Sequence, residues 1–252
     1  MKLLTLARDL RRRRARERQQ LFVAEGVRAV EELLSSPLLV RGLLVAPKLA
    51  DTSRGAVLLD AARRRGVDVT DVDEREFASA AETDSPQGVL AVAEIPTRRL
   101  EDTELPARAR LVALDGVQDP GNVGTILRTA AALGASAVLA MPGTVDLWNA
   151  KVVRSAMGAL FHSPAFITTW PELDTFRTRH TVALWGAEAG GTPLERLQPP
   201  DRLALLVGNE GAGLSSDGRA RVDQSVSIPI GSDVESLNVA VATGIILYQL
   251  RP

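Results

Sequence analysis

LLVGNEGAGLS (Leu205 to Ser215) and SIPIGSDVESLNVAVATGIILYQL (Ser227 to Leu250) are the stretches whose reading decides the fold of this chain. Each sets a polar, glycine-containing turn against an apolar segment. Glycine has no side chain to hold a ligand off the backbone, so turns of this composition read as binding loops. DGVQDPGNVGTILRTAAALGA (Asp115 to Ala135) repeats the arrangement earlier in the chain. There a strand runs into a polar loop and then a helix start, where unpaired N–H groups and the positive end of the helix dipole attract anions.

Outward from these loops, the pattern alternates. RLVALD (Arg110 to Asp115), SAVLAM (Ser136 to Met141), TVALWG (Thr181 to Gly186) and LALLVG (Leu203 to Gly208) read as strands, and Ile228 to Gly231 as a further one. VGTILRTAAALG (Val123 to Gly134), WNAKVVRSAMGAL (Trp148 to Leu160) and LNVAVATGIILYQL (Leu237 to Leu250) read as helices. Alternating strands and helices predict an α/β domain with a parallel sheet covered on both faces. The closing helix is apolar nearly all round, through Val239, Val241, Ile245, Ile246 and Leu250, and is expected to be buried in the domain or at a subunit interface. Upstream, strands at Leu21–Ala24, Val40–Val45, Val67–Val72 and Gly88–Ala93 and helices at Val27–Ser36 and Ser53–Arg65 predict a small α/β sandwich. The polar, proline-bracketed PTRRLEDTELPARAR (Pro96 to Arg110) reads as a linker. The expected division is therefore a first domain over 1–97, a linker over 98–109 and a second domain over 110–252.

Composition limits the chemistry. With 252 residues, 45% of them hydrophobic, the chain can bury a full core. It has no cysteine and only two histidines, His162 and His180, which excludes disulfides and thiolate metal sites and leaves little for a metal. Catalysis is expected to be metal-free and to use an organic cofactor. No apolar run reaches the roughly 18 residues of a membrane span, and the N-terminus lacks a signal-peptide pattern, so a cytosolic protein is expected. The net charge of −1 means that nucleic acid would be met by local patches. One such patch holds Lys2, Arg8, Arg11, Arg12, Arg13, Arg14, Arg16 and Arg18 against Asp9 and Glu17, a net +6. It reads as an RNA phosphate contact, a solvated helix end or a targeting peptide; the two acids weaken the last reading.

Taken singly, the loop residues have ordinary explanations. Asn122 fits an N-cap or a ligand contact, Arg128 a surface charge, Glu210 a solvated turn, and Ser236 and Asn238 a helix cap and first turn. GNEGAG is neither a Walker A loop nor a GxGxxG fingerprint. The conjunction is what informs: NVGxxxR, GNEGxG and IPIxxxxxSLN each follow a strand of one parallel sheet, so their loops can converge at its carboxyl edge, where such folds bind ligands.

These three motifs together resemble the signature of the SpoU/TrmH family, the 2′-O-ribose RNA methyltransferases of the SPOUT class, over the chain from about residue 110 onward. The resemblance implies a deep trefoil knot, against the general rule of unknotted chains, and bound S-adenosylmethionine. Carried onto this sequence, it implies a catalytic set of Asn122, Arg128, Glu210, Ser236 and Asn238, and cofactor contacts at Gly208, Ile228 and Leu237, with Gly186 lining the same pocket. Arg154, in KVVRSAMGALFH, would hold RNA phosphate. An arginine stays protonated, so Arg128 is read as an orienting donor rather than a base.

FVAEGVRAVEELL (Phe22 to Leu34) and TDSPQGVLAVA (Thr83 to Ala93) resemble the substrate-binding domain that precedes the catalytic domain in many SpoU-type enzymes. The implied function is methylation of a ribose 2′-hydroxyl in ribosomal RNA by a homodimer, with tRNA open as a substrate. A non-catalytic RNA-binding assembly factor is a second reading, which all four of Asn122, Arg128, Glu210 and Asn238 being present disfavours. A nucleotide-dependent oxidoreductase is a third, and lacks its early GxGxxG.

Overall fold

The computed structural model describes residues 2–50, 52–231 and 233–251. The first stretch carries α1 (Leu3–Asp9), α2 (Arg13–Gln19), β1 (Leu21–Glu25), α3 (Val27–Ser35), β2 (Val40–Val45), α4 (Pro47–Ala50), α5 (Ser53–Arg64), β3 (Val69–Asp71), α6 (Glu74–Ala80) and β4 (Val89–Glu94). After a short 3-10 turn come β5 (Ala109–Asp115), α7 (Pro120–Ala132), β6 (Ala137–Ala140), α8 (Ala150–Ser155), α9 (Ala159–His162), β7 (Ala165–Ile167), α10 (Trp170–His180), β8 (Ala183–Pro193), β9 (Arg202–Gly208), α11 (Ser216–Arg219), β10 (Gln224–Ser227) and α12 (Val239–Gln249). No helix among the described residues is long and apolar enough to cross a membrane.

Two compact units form, Met1–Thr97 with Trp148–His162, and Arg98–Leu147 with Ser163–Pro252. In the first, a four-stranded sheet runs β1-β4-β2-β3, antiparallel except for β2 with β3. The basic N-terminus, for which a solvated helix end was one of the three readings, is two short helices. Ala7, Leu10 and Ala15 on them are buried because the arginines between point outward. α8 and α9 leave the second unit's chain path and pack here: Phe22 of β1, fully buried, meets the rings of Trp148 and Phe161 at 4.6 and 5.7 Å between centroids. The single helix expected from Trp148 to Leu160 is broken, since Met157 and Gly158 both take left-handed backbone angles (φ +51° and +91°).

The second unit contains a six-stranded sheet, β10-β8-β9-β5-β6-β7, parallel at every pairing. Its central strands are buried along nearly their whole length, as unbroken apolar runs demand when helices cover both faces. One face packs Phe166, Trp170, Leu173 and Phe176 against Leu111, Leu139 and Leu184. On the other, α12 packs against α7 and β9. Leu100 and Leu105, in the stretch expected as a linker, are buried in this unit's core. Ile228 to Gly231 is not a strand: β10 lies just before it, and Pro229 has no N–H to donate to a sheet. α12 buries Ala240, Thr243, Ile246, Leu247 and Leu250, while Val241, Ile245 and Tyr248 stay exposed, so only one side of the apolar helix is covered within the chain.

Phe22→Ala removes the ring that β1, Trp148 and Phe161 share, and a buried Phe truncation costs about 3–5 kcal/mol. The expected outcome is a transition at lower denaturant for the first unit, read by tryptophan fluorescence during urea unfolding; an unshifted transition counts against this packing.

Candidate active site

Strands β5 and β9 are in register so that Asp115 pairs with Gly208, and the loops that follow leave the sheet side by side. Asp115 is buried and its Oδ2 accepts the backbone N–H of Ser215 at 2.7 Å, which pins the far end of the GNEGAG loop back onto β5. Within the loop, Asn209 and Gly213 exchange backbone hydrogen bonds at 2.9 and 3.0 Å. Asn209 Oδ1 also accepts the N–H groups of Gly211 and Ala212, both at 3.0 Å, and Asn209 Nδ2 donates to Gly116 O at 2.9 Å. So tight a turn needs its glycines: a Cβ on Gly208 would lie 2.2 Å from the Gly213 carbonyl carbon, and Gly213 takes φ +69°.

A chain of side-chain hydrogen bonds joins the three expected motifs. Glu210 Oε1 accepts from Asn122 Nδ2 at 3.0 Å, and Asn122 Oδ1 accepts from Asn238 Nδ2 at 2.9 Å. The backbone N–H groups of Gln118 and Asp119 point at the same carboxylate, at 3.3 and 3.2 Å. Partial burial alone would raise the Glu210 pKa, but the hydrogen bonds from Asn122, from its own backbone and from Asp119 and Gln118 together outweigh it and hold the group below the ordinary carboxylate value. Glu210 is therefore an ionised acceptor at neutral pH, with both oxygens already engaged.

Two capping roles differ from expectation. The N-cap of α7 is Asp119, whose carboxylate accepts the Asn122 N–H at 2.8 Å, with Pro120 next. That frees the Asn122 side chain to bridge Glu210 and Asn238. The N-cap of α12 is Asn238, whose Oδ1 accepts from Ala240 and Val241 at 2.9 and 3.3 Å. Because α12 starts that late, Ser236 lies outside it, exposed, and its hydroxyl makes no hydrogen bond with the described residues; it is not part of the frame.

Beside the frame lies a cavity of about 480 Å³, within the range of small-molecule sites. Gly208, Ile228 and Leu237 line it, as do Glu210, Ser236 and Asn238. Val207, Val239 and Ile246 add apolar wall, and Glu188 and Arg219 add charge. A Cβ on Gly211 would meet only Asn209 Oδ1, at 3.7 Å, so this backbone is open to a closely approaching ligand. Size, apolar lining and exposed loop backbone fit a nucleoside-bearing cofactor such as S-adenosylmethionine. Among the described residues no group of three or more His, Asp or Glu could hold a metal ion.

Gly186, expected to line this pocket, instead faces inward: a Cβ there would lie 2.8 Å from both Leu214 and Val222, so its small size serves packing. The cavity lining begins one residue later, at Ala187. Arg128 lies outside the cavity, exposed on α7, with no hydrogen bond or ion pair to the described residues. In the first unit, Arg154 of α8 is half-buried and its Nη1 is enclosed without a partner. Of the basic run, Arg12 pairs with Asp9 and Arg13 with Glu17, Arg11 Nη1 reaches Ser79 O at 3.5 Å, and Arg14 is exposed and unpaired among the described residues. Sequence reasoning passed over Asn209, Asp119, Glu188 and Arg219; for Asn209 the signal was an Asn between two glycine-rich positions, a residue that turns by bonding its own backbone two residues on.

A model of the SpoU rRNA methylase family matches residues 109–248, and one of the MRM3-like substrate binding domain matches residues 5–91. The chain is 36% identical over 246 residues to the 23S rRNA (guanosine(2553)-2′-O)-methyltransferase RlmP of Bacillus subtilis, covering 97% of this chain and 94% of that protein. The SpoU methyltransferase AviRb of Streptomyces viridochromogenes, solved in complex with the cofactor AdoMet, matches with a TM-score of 0.89 at 29% identity, over 99% of this chain and 97% of that one. An AdoMet-bound rRNA methyltransferase from Sinorhizobium meliloti matches with a TM-score of 0.86 at 28% identity, over 99% and 94%. With a family model spanning more than half of its length and a relative this similar along nearly all of it, the chain belongs to the SpoU rRNA methylase family.

Proposed function

We propose that this protein methylates a ribose 2′-hydroxyl of 23S rRNA, using S-adenosylmethionine, in the cytoplasm. The observation that carries the reading is the Glu210–Asn122–Asn238 chain beside a cavity lined by Gly208, Ile228 and Leu237. Ribosomal RNA is favoured over tRNA because RlmP, similar along almost the whole chain, bears a 23S rRNA name, and because the first unit matches a substrate-binding model.

S-adenosylmethionine supplies a methyl group made electrophilic by its sulfonium. Gly208, Ile228 and Leu237 would hold it, largely through backbone and apolar contact. Asn122 and Asn238 present an ordered polar edge, since the Asn122 amide is oriented by Glu210 and Asn238, and the Asn238 amide by Asn122 and the first N–H groups of α12. Glu210 keeps them so, and its engaged, readily ionised carboxylate suits a positioning group better than a general base. Arg128, cationic and uncommitted, orients an RNA phosphate or the 2′-oxygen. Arg154, Arg11 and Arg14, the last unpaired among the described residues, are assigned to RNA phosphates, which Arg12 and Arg13 join by exchanging their partners Asp9 and Glu17. Residues 1–97, with 148–162 packed into the same unit, are assigned to RNA binding, and the remainder of 110–252 to methyl transfer, its final stretch read as knotted. The exposed Val241, Ile245 and Tyr248 of α12 are assigned to a homodimer interface.

Radiolabelled methyl transfer to total RNA, with mapping of the labelled ribose, tests the activity. Label in 23S rRNA is expected, falling by about two orders of magnitude or more in Asn122→Ala and Arg128→Ala; label confined to tRNA overturns the substrate, and no label in any RNA leaves a binding protein. Ile245→Arg is expected to halve the mass seen by light scattering, and an unchanged mass removes α12 from the interface.

Glu210 also gives a pH signature. A carboxylate whose folded pKa is lowered stabilises the fold above its unfolded pKa and loses that contribution as the pH falls through the folded value. The melting-temperature advantage of the wild type over Glu210→Gln is therefore expected to be flat above about pH 5 and to close as the pH falls below about 4. A gap that instead widens in acid contradicts the ionised-acceptor role.

A further inference from the structure

The cavity holds an ion pair that the Glu210 frame does not use. Glu188, midway along β8, accepts from Arg219 Nε at 2.8 Å through Oε1 and from the Ser225 hydroxyl at 3.0 Å through Oε2. Both Glu188 and Arg219 line the cavity. Their side chains are 26% and 54% exposed, so the pair is open to a ligand and weak as a surface staple. Arg219 spends only Nε on Glu188; its two terminal nitrogens have no hydrogen-bond partner among the described residues. The guanidinium also hangs over the GNEGAG loop, with Nη2 3.4 Å from where a Cβ on Gly213 would stand. A free pair of guanidinium N–H groups matches a carboxylate, and a carboxylate with lone pairs to spare matches an ammonium.

We propose that Glu188 and Arg219 bind the amino-acid end of S-adenosylmethionine, Glu188 taking the α-ammonium and Arg219 the α-carboxylate, with Ser225 fixing the Glu188 rotamer. The inference rests on this cavity being the cofactor site and adds the part of the ligand that the apolar walls and backbone loops cannot recognise. The two charges already face each other, so a zwitterion adds its own opposite charges without leaving either residue uncompensated. A ligand lacking the amino-acid end gains nothing from them.

Calorimetric titration of the full chain with S-adenosylmethionine, S-adenosylhomocysteine and 5′-methylthioadenosine tests this, since the last lacks the amino-acid end but keeps the nucleoside. The wild type is expected to bind both amino-acid ligands more tightly than 5′-methylthioadenosine. Arg219→Gln and Glu188→Gln are each expected to weaken S-adenosylhomocysteine by about tenfold or more while leaving 5′-methylthioadenosine within about twofold. Retained 5′-methylthioadenosine binding shows that the variant is folded and its nucleoside pocket intact. Equal losses for all three ligands make the pair a structural tie and overturn the proposal, as does no loss for any. If the wild type binds none of the three, the cofactor reading of the cavity fails with it, a result distinct from a wild type that binds all three alike.

Discussion

Everything at the site depends on one carboxylate, that of Glu210, reaching across from the loop after β9 to the loop after β5. Its oxygens gather two backbone N–H groups, from Gln118 and Asp119, and the Asn122 amide, which in turn holds Asn238 at the head of α12. Three segments distant in sequence are thus linked in series, the loop after β5 donating to Glu210 and Asn238 donating to Asn122. Each hydrogen bond is partly exposed and modest alone, but bonds from neutral donors to an ionised oxygen are stronger than neutral ones, and each member orients the next. The cost of concentrating donors on one carboxylate is small because that carboxylate prefers to be charged.

The frame can form only because the sheet delivers its loops to one edge. Parallel pairing puts the carboxyl ends of β5, β8, β9 and β10 on the same side, and the register of Asp115 with Gly208 makes two of those ends level. At the opposite end of β5, Arg110 serves as the counterpart. Buried, it donates from Nε to Leu250 O at 2.6 Å, just past α12, and from Nη1 to Asp201 O at 2.7 Å, ahead of β9. Burial first, and then the neighbouring Arg108 cation, lower its pKa, with Asp201 acting the other way. Held through Nε and Nη1 by backbone carbonyls, with Nη2 buried and unpartnered among the described residues, this guanidinium fixes where α12 ends, while Asn238 fixes where it begins.

The sheet was legible in the sequence because buried parallel strands are unbroken apolar runs, as in LVAL and LALLV, and because each was followed by a polar loop. α10 was missed although its signals were present: Thr169 and Glu172 form a capping box, and Trp170, Leu173 and Phe176 recur at helical spacing. Its many charged and threonine residues hid that spacing. The site residues were legible as types and order, whereas their roles turned on which of two adjacent residues caps a helix. Asp119 or Asn122, and Ser236 or Asn238, are equally good caps by composition. Only the observed helix starts decide between them, and those starts leave Asn122 and Asn238 facing each other. Gly186 shows the converse limit: a glycine at a strand end before a binding loop looked like a ligand contact, yet the Leu214 and Val222 side chains fill the space beside it.

Counting charges was the least reliable part of the sequence reading, and the structure shows why. The first eighteen residues suggest a net +6 surface, but Arg16 is buried and donates to Leu10 O at 2.7 Å and Arg11 O at 2.9 Å, a structural use of the cation inside α2's packing. Asp9 draws Arg12 and Arg18 to itself, and Glu17 draws Arg13. What remains open to phosphate is a subset of the run, led by Arg14. Counterion release scales with the phosphates actually neutralised, so affinity from this face is weaker and less salt-sensitive than the raw arginine count implies. Under the proposed function, a chain with a net charge of −1 needs cations beyond this helix pair to hold RNA. In that reading the added cations are Arg128 and Arg154, which make no hydrogen bond or ion pair with the described residues.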